Sequence, residues 1–195
     1  MEKPLSPTQK PELFETWQLH DLVWQPVENP TVITGKSAQA VTIKGIPFML
    51  EGREEDQSNK DDDNAINLKR IFSIHRPGTT NIHPLLFGSI ELTGNKNHPP
   101  LKAKTLILKP VDDPDLKGGI GLSLWEKMTD LIEIDAKQRG VAIQHSIEMA
   151  PEISQQTPLT EKRWLELFLP FLDKRGYTQA PSTNGVLTWT KTYQP

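Results

Sequence analysis

The chain has 195 residues, a formal net charge of -3, no cysteine, 17 prolines and only 35% hydrophobic residues. That length suits one domain with added segments, and the acidic balance argues against broad capture of nucleic acid, which needs a basic face. The missing thiols exclude disulfides, cysteine nucleophiles and thiolate zinc sites.

No apolar run reaches the roughly 20 residues of a membrane helix. The start, Met1-Glu2-Lys3-Pro4-Leu5-Ser6-Pro7, lacks the apolar core of a secretory signal. The expectation is a cytoplasmic protein that does not enter a membrane. Residues 1–11, with Pro4, Pro7 and Pro11, read as a flexible tail, and residues 12–195 as a single α/β domain.

From Glu12 to Trp24 the pattern is ambiguous between helix and strand, and Pro26 and Pro30 are expected to end either one. Strands are predicted at Ala40–Lys44 and Ile46–Leu50, around a turn or bulge at Gly45. Residues 51–64, crowded with Glu, Asp, Asn and Lys, read as an exposed, mobile acidic loop. Asp61-Asp62-Asp63 lacks the spacing and the glycine of a calcium loop. Further strands are predicted at Leu68–His75, Leu85–Leu92 and Lys104–Leu108, with Asn95 to Pro100 as a connecting loop.

The second half alternates differently. A helix is predicted over Gly121–Arg139, with Leu124, Trp125, Met128, Leu131 and Ile132 as its core stripe and Gly140 as its cap. A strand at Val141–Ile147, a helix at Pro158–Arg175 and a strand at Val186–Thr192 follow. In the second helix Trp164, Leu165, Phe168 and Leu172 are expected to face the core, Pro170 to kink it and Gly176 to close it. The order implies a mixed, mostly antiparallel sheet with flanking helices.

Between strand and helix runs Val111-Asp112-Asp113-Pro114-Asp115-Leu116-Lys117-Gly118-Gly119-Ile120-Gly121. Helix-start N–H groups lack intrahelical partners, and glycine lets an anion approach the backbone. The stretch lacks the third glycine of a dinucleotide fingerprint. Thr34-Gly35-Lys36-Ser37 ends like a P-loop, but Pro30 stands where that motif needs its first glycine.

The strand end, Gly119-Ile120-Gly121, the long helix, Gly140, the next strand and the later Leu172-Asp173-Lys174-Arg175-Gly176-Tyr177 together resemble the GNAT acetyltransferase superfamily over about residues 104–193. The resemblance implies a GNAT-like acyl-CoA acyltransferase fold that uses acetyl-CoA as cosubstrate and passes the acetyl group to an unidentified amine. It also implies that backbone from Lys117 through Gly118, Gly119, Ile120 and Gly121 to Leu122 holds the diphosphate. The pantetheine arm would lie beside Lys109, Pro110 and Val111, between splayed strands. The chain departs from the family pattern at several points, among them an acidic connection holding Asp112, Asp113 and Asp115 and a more β-rich N-terminal half. Leu116 and Gly118 stand where basic residues are usual, and Leu172 where a tyrosine often supplies a proton. These departures keep open a second reading, a noncatalytic interaction or regulatory protein that uses the scaffold to meet a protein partner.

Candidate proton-transfer residues are Glu148, at a strand end and suited to act as base, and Tyr177, which could donate a proton or simply pack behind Gly176. His145 could also accept a proton if it faced a cleft, but alternation points it inward with Val141 and Ile143, as a core histidine. His75 and His83 have no carboxylate cluster beside them, so no metal site is expected. Glu91 reads as solvent-facing, and Ser123 as a cap or phosphate contact without a His/Asp set around it.

Overall fold

The computed structural model describes residues 25–27, 33–43, 46–58, 61–78, 84–108, 120–149, 161–183 and 186–195. In chain order these form β1 (Gln25–Val27), β2 (Ile33–Ile43), β3 (Ile46–Asp56), β4 (Ala65–His75), β5 (Leu86–Asn95), β6 (Leu101–Leu108) and α1 (Ile120–Arg139). There follow β7 (Ile143–Met149), α2 (Glu161–Lys174), β8 (Thr178–Thr183) and β9 (Val186–Tyr193). The strand order is β1-β2-β3-β4-β5-β6-β7-β9-β8. β1–β2, β2–β3, β7–β9 and β8–β9 pair antiparallel, whereas β6–β7 pair parallel. The fold class is therefore α/β, with a mixed, mostly antiparallel sheet and two helices among the described residues. The tail 1–11 and the ambiguous stretch 12–24 lie outside them.

The single domain read from the sequence divides by contacts into two compact units. One is drawn from 1–57, 69–89 and 106–131, the other from 58–68, 90–105 and 132–195.

In the first unit β2 and β3 form a hairpin in register from Ile43↔Ile46 to Ile33↔Asp56. Glu51–Asp56 is thus strand, which corrects the expectation that the acidic loop begins at residue 51. The charges hid a period of two: Phe48, Leu50 and Gly52 are buried, while Pro47, Glu51 and Arg53 are exposed. Ion pairs settle the polar residues, Arg53 with Glu55 at 2.5 Å and Arg70 with Glu54 at 2.6 Å. Thr34-Gly35-Lys36-Ser37 lies inside β2, in extended backbone rather than in a phosphate loop. Pro26, expected to end an element, sits within β1 opposite Gly35, at the end of the strand order where a missing N–H is tolerated.

α1 seats closely on β5 in this unit. A Cβ on Gly88 would lie 2.9 Å from Met128 Sδ and 3.0 Å from Leu124 Cδ2. All five residues of the expected α1 stripe are buried.

In the second unit the remainder of the expected loop is a fastened turn, with residues 59–60 outside the described ones. Asp62 Oδ1 accepts from the Asn64 N–H at 2.9 Å, and Asp62 Oδ2 accepts from Asn95 Nδ2 at 3.0 Å. The Ala65 N–H donates to the Asp62 carbonyl, and the Lys96 N–H to that of Asn64. A mobile loop was expected because the partners, Asn95 and Lys96, come from another turn more than 30 residues away.

Both helices end in the same six-residue motif. The Val141 N–H donates to the Ala136 carbonyl and the Gly140 N–H to that of Lys137. At α2 the Tyr177 N–H reaches Leu172 and the Gly176 N–H reaches Asp173. The motif needs a left-handed residue, and Gly140 (φ 63°) and Gly176 (φ 73°) supply it. α2 runs across Pro170 to Lys174; Phe171 and Leu172 are buried, Leu165 and Phe168 half-buried, and the Trp164 side chain lies outside the described residues. β8 was not among the expected strands; Pro181 stands within it, followed in sequence by Ser, Thr and Asn. β8 occupies the other end of the strand order, with a bulge between Ala180 and Thr183.

Two outcomes test these contacts. Gly88→Ala should overpack the α1 seat and lower unfolding free energy by about 1–3 kcal/mol in urea titration; unchanged stability would show the seat to be loose. The amides of Asn64, Ala65 and Lys96 should be protected in hydrogen exchange, and Asp62→Ala should release them together.

Candidate functional site

Of the residues expected to hold acyl-CoA, Lys109, Val111, Lys117, Gly118 and Gly119 lie outside the described residues. Ile120, Gly121 and Leu122 form the first turn of α1, which contains no acidic residue. A Cβ on Gly121 would meet Ile107 Cγ2 at 3.9 Å, an ordinary contact. The packing of the described residues therefore does not demand a glycine there.

The parallel ladder between β6 and β7 runs from Leu101↔Ile143 to Lys104↔Ser146 and stops. Both strands continue, β6 to Leu108 and β7 to Met149. On β7 alternation sets two faces: Ile143, His145 and Ile147 are buried, while Gln144 and Ser146 are half-buried and Glu148 is exposed. Glu148 is held by Lys104 Nζ at 3.4 Å, and Gln144 bonds Lys102. The two candidate proton-transfer residues are thus on opposite sides of β7, because Tyr177 bonds to His145 on the buried face.

That buried face carries a connected row of polar groups. Thr105 Oγ1 lies 2.9 Å from His145 Nε2, His145 Nδ1 lies 2.5 Å from the Tyr177 hydroxyl, and that hydroxyl lies 3.0 Å from the Tyr193 hydroxyl. His145 is fully buried, Tyr177 and Tyr193 nearly so. The local sequence explains the convergence. β7 points His145 inward between Ile143 and Ile147, and the α2 end motif turns Tyr177 back beneath Gly176. β9 places Tyr193 opposite Ile143. The Tyr177 ring meets the imidazole edge-on, 5.6 Å between centroids at 76°.

The 2.5 Å bond fits donation by the phenol O–H to Nδ1, since O–H donors give the shorter bonds. His145 then carries its proton on Nε2 and donates it to Thr105, and Tyr177 accepts from Tyr193. Every member is satisfied in that single direction, an assignment made from the hydrogen-bond network. Burial, helped by the Lys191 charge, depresses the His145 pKa to about 3, so the imidazole is neutral. Burial and then Tyr193 raise the Tyr177 hydroxyl well above the usual phenol range. Tyr177, expected as a proton donor, is therefore a sealed hydrogen-bonding phenol. Releasing its proton would leave a buried phenolate.

Sequence reasoning placed His145 in the core and missed its partners. The signal available was a histidine on an apolar strand face together with two tyrosines near the C-terminus. His75 bonds Ser73 Oγ at 3.0 Å and lies 3.6 Å from Glu51, His83 lies outside the described residues, and no group of three metal ligands occurs among the described residues. Among the described residues no helix is long and apolar enough to cross a membrane. Comparisons with family models, curated proteins and solved structures give no match to this chain.

The histidine sets a pH dependence. Its folded pKa lies below the unfolded value near 6.5, so below that pH the unfolded chain binds the proton more readily than the folded one. Its contribution to stability is complete above about pH 6.5 and falls as pH drops toward 3, by about 1.4 kcal/mol per pH unit. His145→Gln should flatten the stability difference between pH 4.5 and pH 7 in urea titrations. An unchanged slope would place the titrating group elsewhere.

Proposed function

We propose that this chain is a GNAT-like N-acyltransferase that moves an acetyl group from acetyl-CoA to an amine, in a cytoplasmic setting. The observation that carries this reading is the parallel β6–β7 ladder that ends before either strand does, followed by the connection 109–119 and the start of α1. Strand edges that part inside a sheet present N–H and C=O groups that need partners. An extended ligand with amides of its own, such as a pantetheine arm, can pair along such an edge. The α1 start, whose first N–H groups have no intrahelical partner and whose first turn holds no carboxylate, suits a diphosphate. In this reading Lys109 and Val111 flank the arm, and the backbone of Lys117, Gly118, Gly119, Ile120, Gly121 and Leu122 receives the phosphates.

The chemistry needs no covalent enzyme intermediate. The amine nitrogen adds to the thioester carbonyl, the C–N bond forms as the C–S bond breaks, and the CoA thiolate leaves. Backbone N–H groups stabilise the oxyanion, and fixed geometry supplies much of the rate. The proton lost by the amine passes through water to Glu148, whose exposed carboxylate stands just beyond the ladder end. A proton then returns from solvent to the CoA thiolate.

One observation favours the noncatalytic reading. Leu172, where a tyrosine would supply that proton, is fully buried, and Tyr177 is sealed in its hydrogen-bonded row. Binding of acetyl-CoA without transfer to any amine would identify a scaffold that keeps the ligand site.

Calorimetric titration with acetyl-CoA tests the binding step. Gly121→Val should weaken acetyl-CoA by at least about tenfold, or 1.4 kcal/mol, with melting followed alongside to confirm that the variant is folded. Gln138→Ala, near the other end of α1, should bind like wild type. No heat with wild type at millimolar acetyl-CoA would reject the reading.

A further inference from the structure

The buried hydrogen-bonded row ends where the parallel ladder ends. Lys104↔Ser146 is the last rung; Thr105 is the next residue of β6, and His145 immediately precedes Ser146 on β7. The 2.9 Å contact between Thr105 Oγ1 and His145 Nε2 therefore ties the first residue of β6 past the ladder back to a residue of β7 inside it, the partner of Ala103. Resting on the acyl-CoA reading above, we propose that His145 is a positioning residue for the ligand arm. Held by Tyr177, it fixes Thr105 and with it the place where β6 parts from β7.

Three features carry the inference. First, the imidazole is held from both sides. Nδ1 meets Tyr177 and Nε2 meets Thr105, so the ring has one orientation. Second, its anchors come from separate elements. The α2 end motif sets Tyr177 through the bond from its N–H to Leu172, and the end of β9 brings Tyr193 to within 3.0 Å of the Tyr177 hydroxyl. Third, the neighbours of His145 on the same face, Ile143 and Ile147, are apolar, so an aliphatic side chain would suit the packing at this register. A fully satisfied polar row in such a place specifies geometry more than it adds stability. The side-chain bond reaches from Thr105, just past the last rung, back to His145 within the ladder, and keeps Thr105 turned toward the buried face of β7.

The ligand class is an extended thioester-bearing chain with amide groups, because such a chain can use a strand edge as another strand would. The test measures acetyl-CoA affinity by calorimetry on the full chain, below the melting temperature of every protein compared. Thr105→Val removes the hydroxyl at nearly constant volume, and Thr105→Ser keeps it. Tyr177→Phe removes the phenol oxygen while leaving the ring, and reports on the same tie if the valine variant folds poorly. We expect Thr105→Val and Tyr177→Phe to weaken acetyl-CoA by about tenfold or more, and Thr105→Ser to bind like wild type. A purely structural role would lower melting temperature in the valine and phenylalanine variants with unchanged affinity. That result, with wild type binding, would overturn the positioning role and leave the acyl-CoA reading intact. Failure of wild type to bind would overturn both.

Discussion

The parallel pairing of β6 and β7 is the constraint on which the second half of the chain depends. Antiparallel neighbours can be joined by a tight turn, but a parallel pair needs a crossover of a dozen or more residues. Here the crossover is the connection 109–119, then α1 and its Gly140 cap. α1 fills much of that crossover, and the N–H groups of its first turn have no intrahelical partner. The resemblance rests on the same order of elements: strand, glycine-containing connection, long helix, glycine cap, strand. The most suggestive residues of the sequence occupy that crossover because the topology needs a long connection there.

Much of this order was legible. The α1 stripe repeats at helical spacing, and Lys137 and Arg139 before Gly140 mark its end as clearly as Lys174 and Arg175 before Gly176 mark that of α2. Strand interiors showed as an apolar run at Phe48 to Leu50 and as apolar residues spaced through Phe72 to Ile74 and Leu86 to Leu92. Failure came where charge masked alternation. Glu51 to Asp56 is strand because Gly52 is buried between exposed neighbours and Glu54 finds Arg70, sixteen residues away. Local composition carries no trace of that partner. β8 was hidden for a related reason, since an edge strand is where proline and small polar residues are tolerated.

The candidate site was legible only in part, and parity explains why. His145 and Glu148 are three positions apart on one strand, an odd number, so alternation alone sends them to opposite faces. The reading that His145 faces the core already implied that Glu148 faces away from it. Tyr177 cannot then serve beside Glu148 once it bonds to His145. What the sequence could not supply is the meeting of Thr105, His145, Tyr177 and Tyr193, whose links span 40, 32 and 16 positions. Their encounter depends on the sheet order β6-β7-β9 and on the α2 end motif.

The chemistry of that row bears on how the unit works. A neutral imidazole with a pKa near 3 is a poor proton acceptor, and a buried phenol with a raised pKa is a poor donor. The row therefore does not suit acid–base catalysis at neutral pH, despite containing the residue types most often used for it. Its value lies in fixed partners: both ring nitrogens of His145 are held by hydroxyls from other elements, and the low dielectric around them makes losing either costly. Proton transfer, if the chain catalyses acyl transfer, falls to the exposed face, where Glu148 and Lys104 meet solvent. The two faces of β7 would then divide the labour, with the buried one holding the strands where they part and the open one exchanging protons with water.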